Sequence, residues 1–404
     1  MSLKLNSSGG GSVTLQEPVT ASNVTLNLPA TAGTVVAADG SGNVSVTSLT
    51  VNSNNISAVN SLGFRNRIIN GNMAIDQRNA GASVTPTVDG QYGGPDRWGY
   101  WLSQASKFSV QQSTVAPTGF SNSVLVTSLS SYAVTGNDYF GVIQKIEGFN
   151  FADLMWGTAN AQTITVSFWV RSSLTGTFGG AMTNNAFNRS YPFSYTISAA
   201  NTWEQKTVTI AGDTTGTWVG STNGIGAILQ FSLGAVSGRL GTAGAWAGNW
   251  FVGSTGSTSV VGTNGATFYI TGVQLEAGTV ASPFERRDYG RELIMCQRYF
   301  WGVSGNASNN MAIMTGQAYT TGAILGCFVP IVQMRAAPTL SYNSLNSWTA
   351  TASNANTTTW TIEAGSTGQL LRISATGGSG LSAGNASGMI LNGSSAFFNL
   401  SAEL

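Results

Sequence analysis

Glu147, Asp153, Glu204 and Asp213 are residues of the type that cleaves glycosidic bonds, but nothing in their spacing makes a pair of any two of them. A glycosidase needs two carboxyl groups about 5–10 Å apart, one protonated and one ionised. The chain has no histidine, the side chain that most readily titrates near neutral pH. Its serines and its cysteines, Cys296 and Cys327, therefore have no imidazole to activate them. The two cysteines sit in different segments without metal-ligand spacing, and two buried thiols are the expectation. No glycine-rich stretch ends in Gly-Lys-Ser/Thr, so a phosphate loop is excluded. The residues predict no enzyme, no cofactor and no bound metal.

Aromatic faces offer a different chemistry, stacking on the C–H groups of sugar rings. Among 11 tryptophans, most must serve the core, because large aromatics mainly supply burial energy. In Thr165–Arg171, Val166, Phe168 and Val170 point one way, while Trp169 points the other with Thr165, Ser167 and Arg171. Trp246 and Trp250 lie in the loop 241–253 among Gly, Ala and Asn, which suits an exposed platform. Trp348 and Trp360, near the Asn-rich stretch 343–356, are the next candidates. For Trp169, Trp246 and Trp250, packing or a subunit contact competes with ligand contact.

The elements that position these residues read as strands. Glycine occurs 51 times in 404 residues, well above the usual share of about 7%, and Ser, Thr and Asn separate short apolar runs. The pattern predicts an all-β protein with an N-terminal intertwined β segment, a central jelly-roll β-sandwich and a C-terminal β-sandwich domain. Segment boundaries fall at 1–60, 61–285, 286–300 and 301–404. Expected strands include 107–111, 123–129, 140–146, 163–171, 193–198, 206–210, 225–233 and 267–275, with a short helix at 150–155. Residues 1–60 alternate apolar and polar residues but hold no Trp, Tyr or Phe. So thin an apolar supply predicts a core shared with copies of the same chain.

Charge is scarce, at 8% of residues and a net +1, so nucleic acid is not an expected partner. The apolar run 323–332 is broken by Gly326 and Pro330, far short of the roughly 20 residues of a membrane span. Residues 1–12 lack a signal-peptide core, which predicts synthesis in a cytoplasm without processing. Against this background Glu285, Arg286, Arg287, Asp288, Arg291, Glu292 and Arg298 stand out as a dense charged segment. Leu293, Gln297 and Phe300 recur at helical spacing there, so a charged linker helix over 286–300 is expected, making interdomain or intersubunit ion pairs.

Residues 67–78 (Arg67-Ile68-Ile69-Asn70-Gly71-Asn72 onward) and Asp96-Arg97-Trp98 resemble the opening of a module of bacteriophage tail fibres. Residues 268–278 and Ala281-Ser282-Pro283-Phe284-Glu285 resemble its close, and Glu292-Leu293 with 296–300 are similar to its usual continuation. Residues 11–15 and 26–35 resemble fibre openings more weakly. The resemblance implies a homotrimeric virion tail appendage with a carbohydrate-binding-module-like jelly roll. It further implies contacts to other tail proteins through the N-terminal segment and attachment to a host surface glycan. Such modules often hold a structural calcium near an acidic pair of the last strand. Here that strand reads Ile270-Thr271-Gly272-Val273, without an acid, which argues against the ion. A structural adaptor or capsid-surface fibre, and less readily a tailspike-type depolymerase, are the alternatives.

Overall fold

The computed structural model describes residues 64–304, 312–343, 357–391 and 396–404, and only the backbone of Met311 and of the strands Ser2–Asn6, Ser12–Gln16, Leu49–Val51, Asn54–Ile56 and Leu345–Thr349. The chain divides into two compact units, Met1–Ala58 and Val59–Leu404. In the first, Ser2–Asn6 pairs with Ser12–Gln16 and Leu49–Val51 with Asn54–Ile56, both antiparallel. The shared core expected of residues 1–60 lies outside the described residues.

The second unit opens with a sandwich whose strands are β1 (Gln91–Tyr92), β2 (Gly99–Leu102), β3 (Phe108–Ser113), β4 (Ser123–Ser128), β5 (Tyr139–Glu147), β6 (Ile164–Ser172), β7 (Gly176–Thr183), β8 (Ser190–Ile197), β9 (Glu204–Ile210), β10 (Ile225–Ala235) and β11 (Thr267–Ala277). They form a five-stranded sheet in the order β9-β6-β11-β4-β3 and a six-stranded sheet in the order β8-β7-β10-β5-β2-β1. This is a jelly-roll β-sandwich, built by period-2 alternation. Val166, Phe168 and Val170 face Phe178, Tyr195, Phe231 and Leu233 in one core. Phe168 meets Tyr195 and Phe231 edge-on at 5.0 and 4.9 Å. The expected strands are present, with ends that differ from expectation by no more than three residues. β2 and β7 were not foreseen: Gly99–Leu102 is buried at every position and shows no alternation, and in β7 Gly176, Gly179 and Gly180 interrupt the apolar pattern that marks a strand. The helix expected at 150–155 is instead two single 3-10 turns, Gly148–Asn150 and Ala152–Leu154.

Helix α1 (Tyr289–Gln297) follows, capped by Asp288, whose carboxylate accepts the Arg291 N–H. The C-terminal region comprises β12 (Phe300–Ser304), β13 (Met311–Thr320), β14 (Ala323–Phe328), β15 (Thr339–Asn343), β16 (Leu345–Thr349), β17 (Thr359–Ile362), β18 (Leu371–Thr376), β19 (Ala386–Leu391) and β20 (Phe397–Ser401). A three-stranded sheet, β12-β20-β15, and a six-stranded sheet, β16-β19-β13-β14-β18-β17, enclose a second core that includes Ile324, Leu371, Ile373, Met389 and Phe398. Ile324 and Phe328 point inward along β14, so Cys327 points outward. It is exposed, contrary to expectation, while Cys296 is buried, and both are free thiols.

Candidate functional site

Residues 64–80 contribute no strand to the sandwich, and side chains lock them onto its last strand. Asn66 Oδ1 accepts the N–H groups of Ile68 and Leu275, and its Nδ2 donates to Val273 O. Asn70 adopts φ +55° and donates from Nδ2 to Ile75 O and Asp96 O, while the Trp98 indole N–H donates to Asn70 O. Gln144 bonds both backbone groups of Ile69. Gly71 lies so close to β11 that a Cβ there would sit 2.2 Å from Val273 O. Much of the stretch that resembles the fibre module is therefore the buried closure of the sandwich, whose unpaired backbone groups must be satisfied somewhere.

The charged segment is only partly an ion-pair network. Glu285 accepts the Asn66 N–H and lies 3.7 Å from Arg287. Arg287 donates to Ile68 O and Asn66 O and lies 3.4 Å from Glu292, which accepts the Asn70 N–H. Arg298 forms a bidentate pair with Glu147 at 2.9 and 2.6 Å. Arg286, Asp288 and Arg291 make no ion pair among the described residues. Arg286 donates to Gly119 O and lies 4.8 Å over Phe120, Asp288 caps α1, and Arg291 is exposed.

Sequence reasoning missed a second charge cluster. Glu403 bonds Arg97 and, at 3.0 Å, Arg78. Arg97 lies 3.6 Å over the Tyr299 ring, and Lys145 Nζ and the Tyr92 hydroxyl both donate to Leu404 O. Arg335 donates to Ala402 O and Glu403 O. Residues 402–404 thus fasten the C-terminal region to the outer face of the central six-stranded sheet. No local pattern marks Glu403, whose partner Arg97 lies 306 positions away.

Each of the four carboxylates considered for catalysis is held by a cation. Asp153 takes a bidentate pair from Arg67, Glu204 takes Lys206, and Asp213 takes Arg189 at 2.8 and 2.6 Å with the Trp218 indole N–H. Burial pushes the Glu147 and Asp213 carboxyls up, but the hydrogen bonds from Arg298 and Tyr299, and from Arg189 and Trp218, outweigh it and hold both below their ordinary values. Their stabilising contribution is complete above the unfolded values of 4.5 and 3.8 and is lost as pH falls below them. Glu147→Gln should therefore flatten the fall in urea midpoint between about pH 5 and pH 3. An unchanged slope would count against this pairing.

The tryptophans proposed for ligand contact do not converge. Trp169 is half-buried on the outer face of the five-stranded sheet, beside Phe120 and Gly272. Gly272 has φ +60°, and a Cβ there would lie 2.7 Å from the Phe120 ring. Trp246 is not the exposed platform expected. It meets Trp156, Trp218 and Tyr191 edge-on at 5.1–5.5 Å, and its indole N–H donates to Ala211 O. Trp360 is likewise corrected: it is 4% exposed in the C-terminal core, with its indole N–H on Thr357. The Trp348 side chain lies outside the described residues.

Trp250 is placed differently. It meets Trp101, Tyr139 and Phe187 at 5.4, 4.9 and 4.9 Å on the outer face of the six-stranded sheet, above Ile143 and Ile228. Arg239 lies 4.5 Å over its ring. Phe187, at the turn between β7 and β8, is 38% exposed and has φ +55°, a conformation that costs a bulky side chain energy and that clusters at functional sites. Burial and its bond to Asp89 push the Tyr139 hydroxyl up to about 12, so it remains a donor at neutral pH. The Trp250 indole N–H is buried without a partner, a state that costs about 1–3 kcal/mol. Gln230, cross-strand from Ile143 on the same face, leaves its Oε1 buried and unpaired. Exposed Asn137, Asn185, Asn188 and Asn249 neighbour these residues in the chain. This patch of half-exposed rings is the candidate site. A cleft of about 900 Å³ lies nearby, lined by Arg78, Asp89, Gln91, Tyr92, Phe300 and Asn399; its Arg78 is already committed to Glu403 and Asp96.

No protein-family model matches the sequence, and no curated protein is significantly similar to it. Among solved structures, the enzymatically active domain of bacteriophage CBA120 tailspike protein 4 is similar at 12% identity and a TM-score of 0.29, over 53% of this chain and 21% of that one. The family 11 carbohydrate-binding module of the Clostridium thermocellum cellulase Lic26A-Cel5E matches at 13% identity and a TM-score of 0.25, over 50% and 98% of the two chains. TmCBM61, solved with β-1,4-galactotriose, matches at 10% identity and a TM-score of 0.24, over 45% and 88%.

Proposed function

We propose that the chain is a non-enzymatic bacteriophage tail fibre or tail appendage that binds a glycan of the host surface. It acts as a homotrimer, joined to other tail proteins through residues 1–60. The observation that carries the glycan reading is the patch of Phe187, Trp250 and Tyr139, in which a strained backbone holds the Phe187 ring at the surface and the Trp250 indole N–H is left unpaired. Sugar recognition uses such surfaces, where apolar faces stack and a few fixed polar atoms select orientation. The sequence resemblance supports the tail assignment. The engagement of Glu147, Asp153, Glu204 and Asp213 by cations speaks against a depolymerase, because a general acid needs a raised pKa and a free proton.

Light scattering of the purified chain should give three times its 41.8 kDa mass. A well-folded monomer at micromolar concentration would refute the trimer. Incubation with envelope polysaccharide should release no reducing ends; their appearance would make the protein an enzyme.

A further inference from the structure

We infer that the aromatic patch is built for an acidic sugar, one carrying a carboxylate beside its hydroxyls; this rests on the glycan reading above. In a chain with so few charges, most basic side chains in the described residues are spoken for. Arg67, Arg78, Arg97, Arg189, Arg287 and Arg298 each face a carboxylate. Arg239 does not. Arg239 is half-buried, with its guanidinium 4.5 Å from the Trp250 ring centroid and 5.9 Å from that of Tyr139. Among the described residues no side chain or carbonyl accepts from it. One unspent cationic donor therefore lies over an aromatic ring, which suits a planar carboxylate that a guanidinium grips with two bonds.

Among the described residues, no acid of the neighbourhood pairs with Arg239. Asp138 accepts from Ser103, Tyr132 and the Thr135 N–H. Asp89 accepts from Leu102 N and the Tyr139 hydroxyl and is exposed. The patch is thus bipolar. Asp89 is a carboxylate acceptor for sugar hydroxyls at the Tyr139 hydroxyl, Arg239 is a cation at Trp250, and the aromatic rings lie between as the stacking surface. A neutral sugar would leave Arg239 unused, whereas a fully anionic substituent without hydroxyls would leave Asp89 opposed.

The test uses the full chain and three probes: oligogalacturonate, neutral dextran oligosaccharide and dextran sulfate, with binding read by tryptophan fluorescence and calorimetry. Oligogalacturonate should bind, more weakly by about tenfold in Arg239→Gln and more weakly as salt rises from about 0.02 to 0.5 M. Trp250→Ala should abolish the fluorescence change. Dextran binding that is lost in Trp250→Ala but unaffected in Arg239→Gln would keep the glycan site and overturn its acidic specificity. Dextran sulfate binding as well as oligogalacturonate, insensitive to Trp250, would reduce the effect to charge and also overturn it. Binding of no probe, with both variants folded, would overturn the acidic-sugar assignment.

Discussion

Glu403→Ala will detach the C-terminal β region from the central sandwich. The carboxylate neutralises Arg97, which is 1% exposed, and shares Arg78, which is 12% exposed. Removing it leaves two guanidinium groups with little water to solvate them, and breaking a buried pair from one side typically costs about 3–5 kcal/mol. Asp96 remains for Arg78 alone: it lies 3.5 Å away, and its carboxyl, pushed up to about 6 by burial and in part by Glu403 itself, stays ionised at neutral pH, so Arg97 is the group left without a carboxylate. The loss should register as a lower denaturation midpoint and as early proteolysis confined to residues 300–404. Glu403→Gln, which preserves shape and an acceptor, should lose less. A wild-type midpoint in the alanine variant would show that the Leu404 bonds to Lys145 and Tyr92 suffice.

Trp250→Ala should weaken adsorption of the purified protein to host cells by about tenfold or more, since an aromatic anchor in a binding site often carries about 2 kcal/mol. The indole also packs against Trp101, Tyr139 and Phe187, and edge-to-face pairs are worth about 0.5–1.5 kcal/mol each. Some stability will therefore be lost with the ring. Trp250→Phe separates the two effects: it keeps most of the packing but removes the indole N–H and much of the face below Arg239. Adsorption should drop in both variants, while the mass in solution and near-UV dichroism keep their wild-type values in the phenylalanine one. Undiminished adsorption in both would move the receptor contact off this face. The cleft between the Gln77–Tyr92 loop and the β12-β20-β15 sheet would then be the place to look.

Much of the architecture was legible because a sheet needs only local information to announce itself. Alternation along 164–172 assigned Val166, Phe168 and Val170 to one face, and the core confirms that face. The same rule put Trp169 on the opposite face, where it is found half-buried. Strand 176–183 escaped because its glycines carry no side chain to show the period, and 99–102 because all four of its residues are buried and none alternates. For the loop tryptophans there was no period to read. Trp246 and Trp250 are four residues apart in a similar composition, yet one seals an aromatic cluster at Ala211 and the other surfaces beside Phe187. What differs is the partner each loop position meets, and that partner is contributed by distant strands.

Composition alone determined an all-β chain poor in acid–base chemistry: no histidine, few charges, abundant glycine between short apolar runs. The tertiary structure decided which of those few charges matter. Glu285, Arg287 and Glu292 could be singled out by crowding, and they do bond one another and the first residues of the sandwich. Arg97 stands out in the sequence only as part of Asp96-Arg97-Trp98, with nothing to announce its partner; Glu403 is unremarkable there, and Arg239 is marked only by the acceptor it lacks. The reason is physical. Burial and pairing are properties of space, set when residues hundreds of positions apart exclude water from between them, whereas strand periodicity is a property of neighbours along the chain.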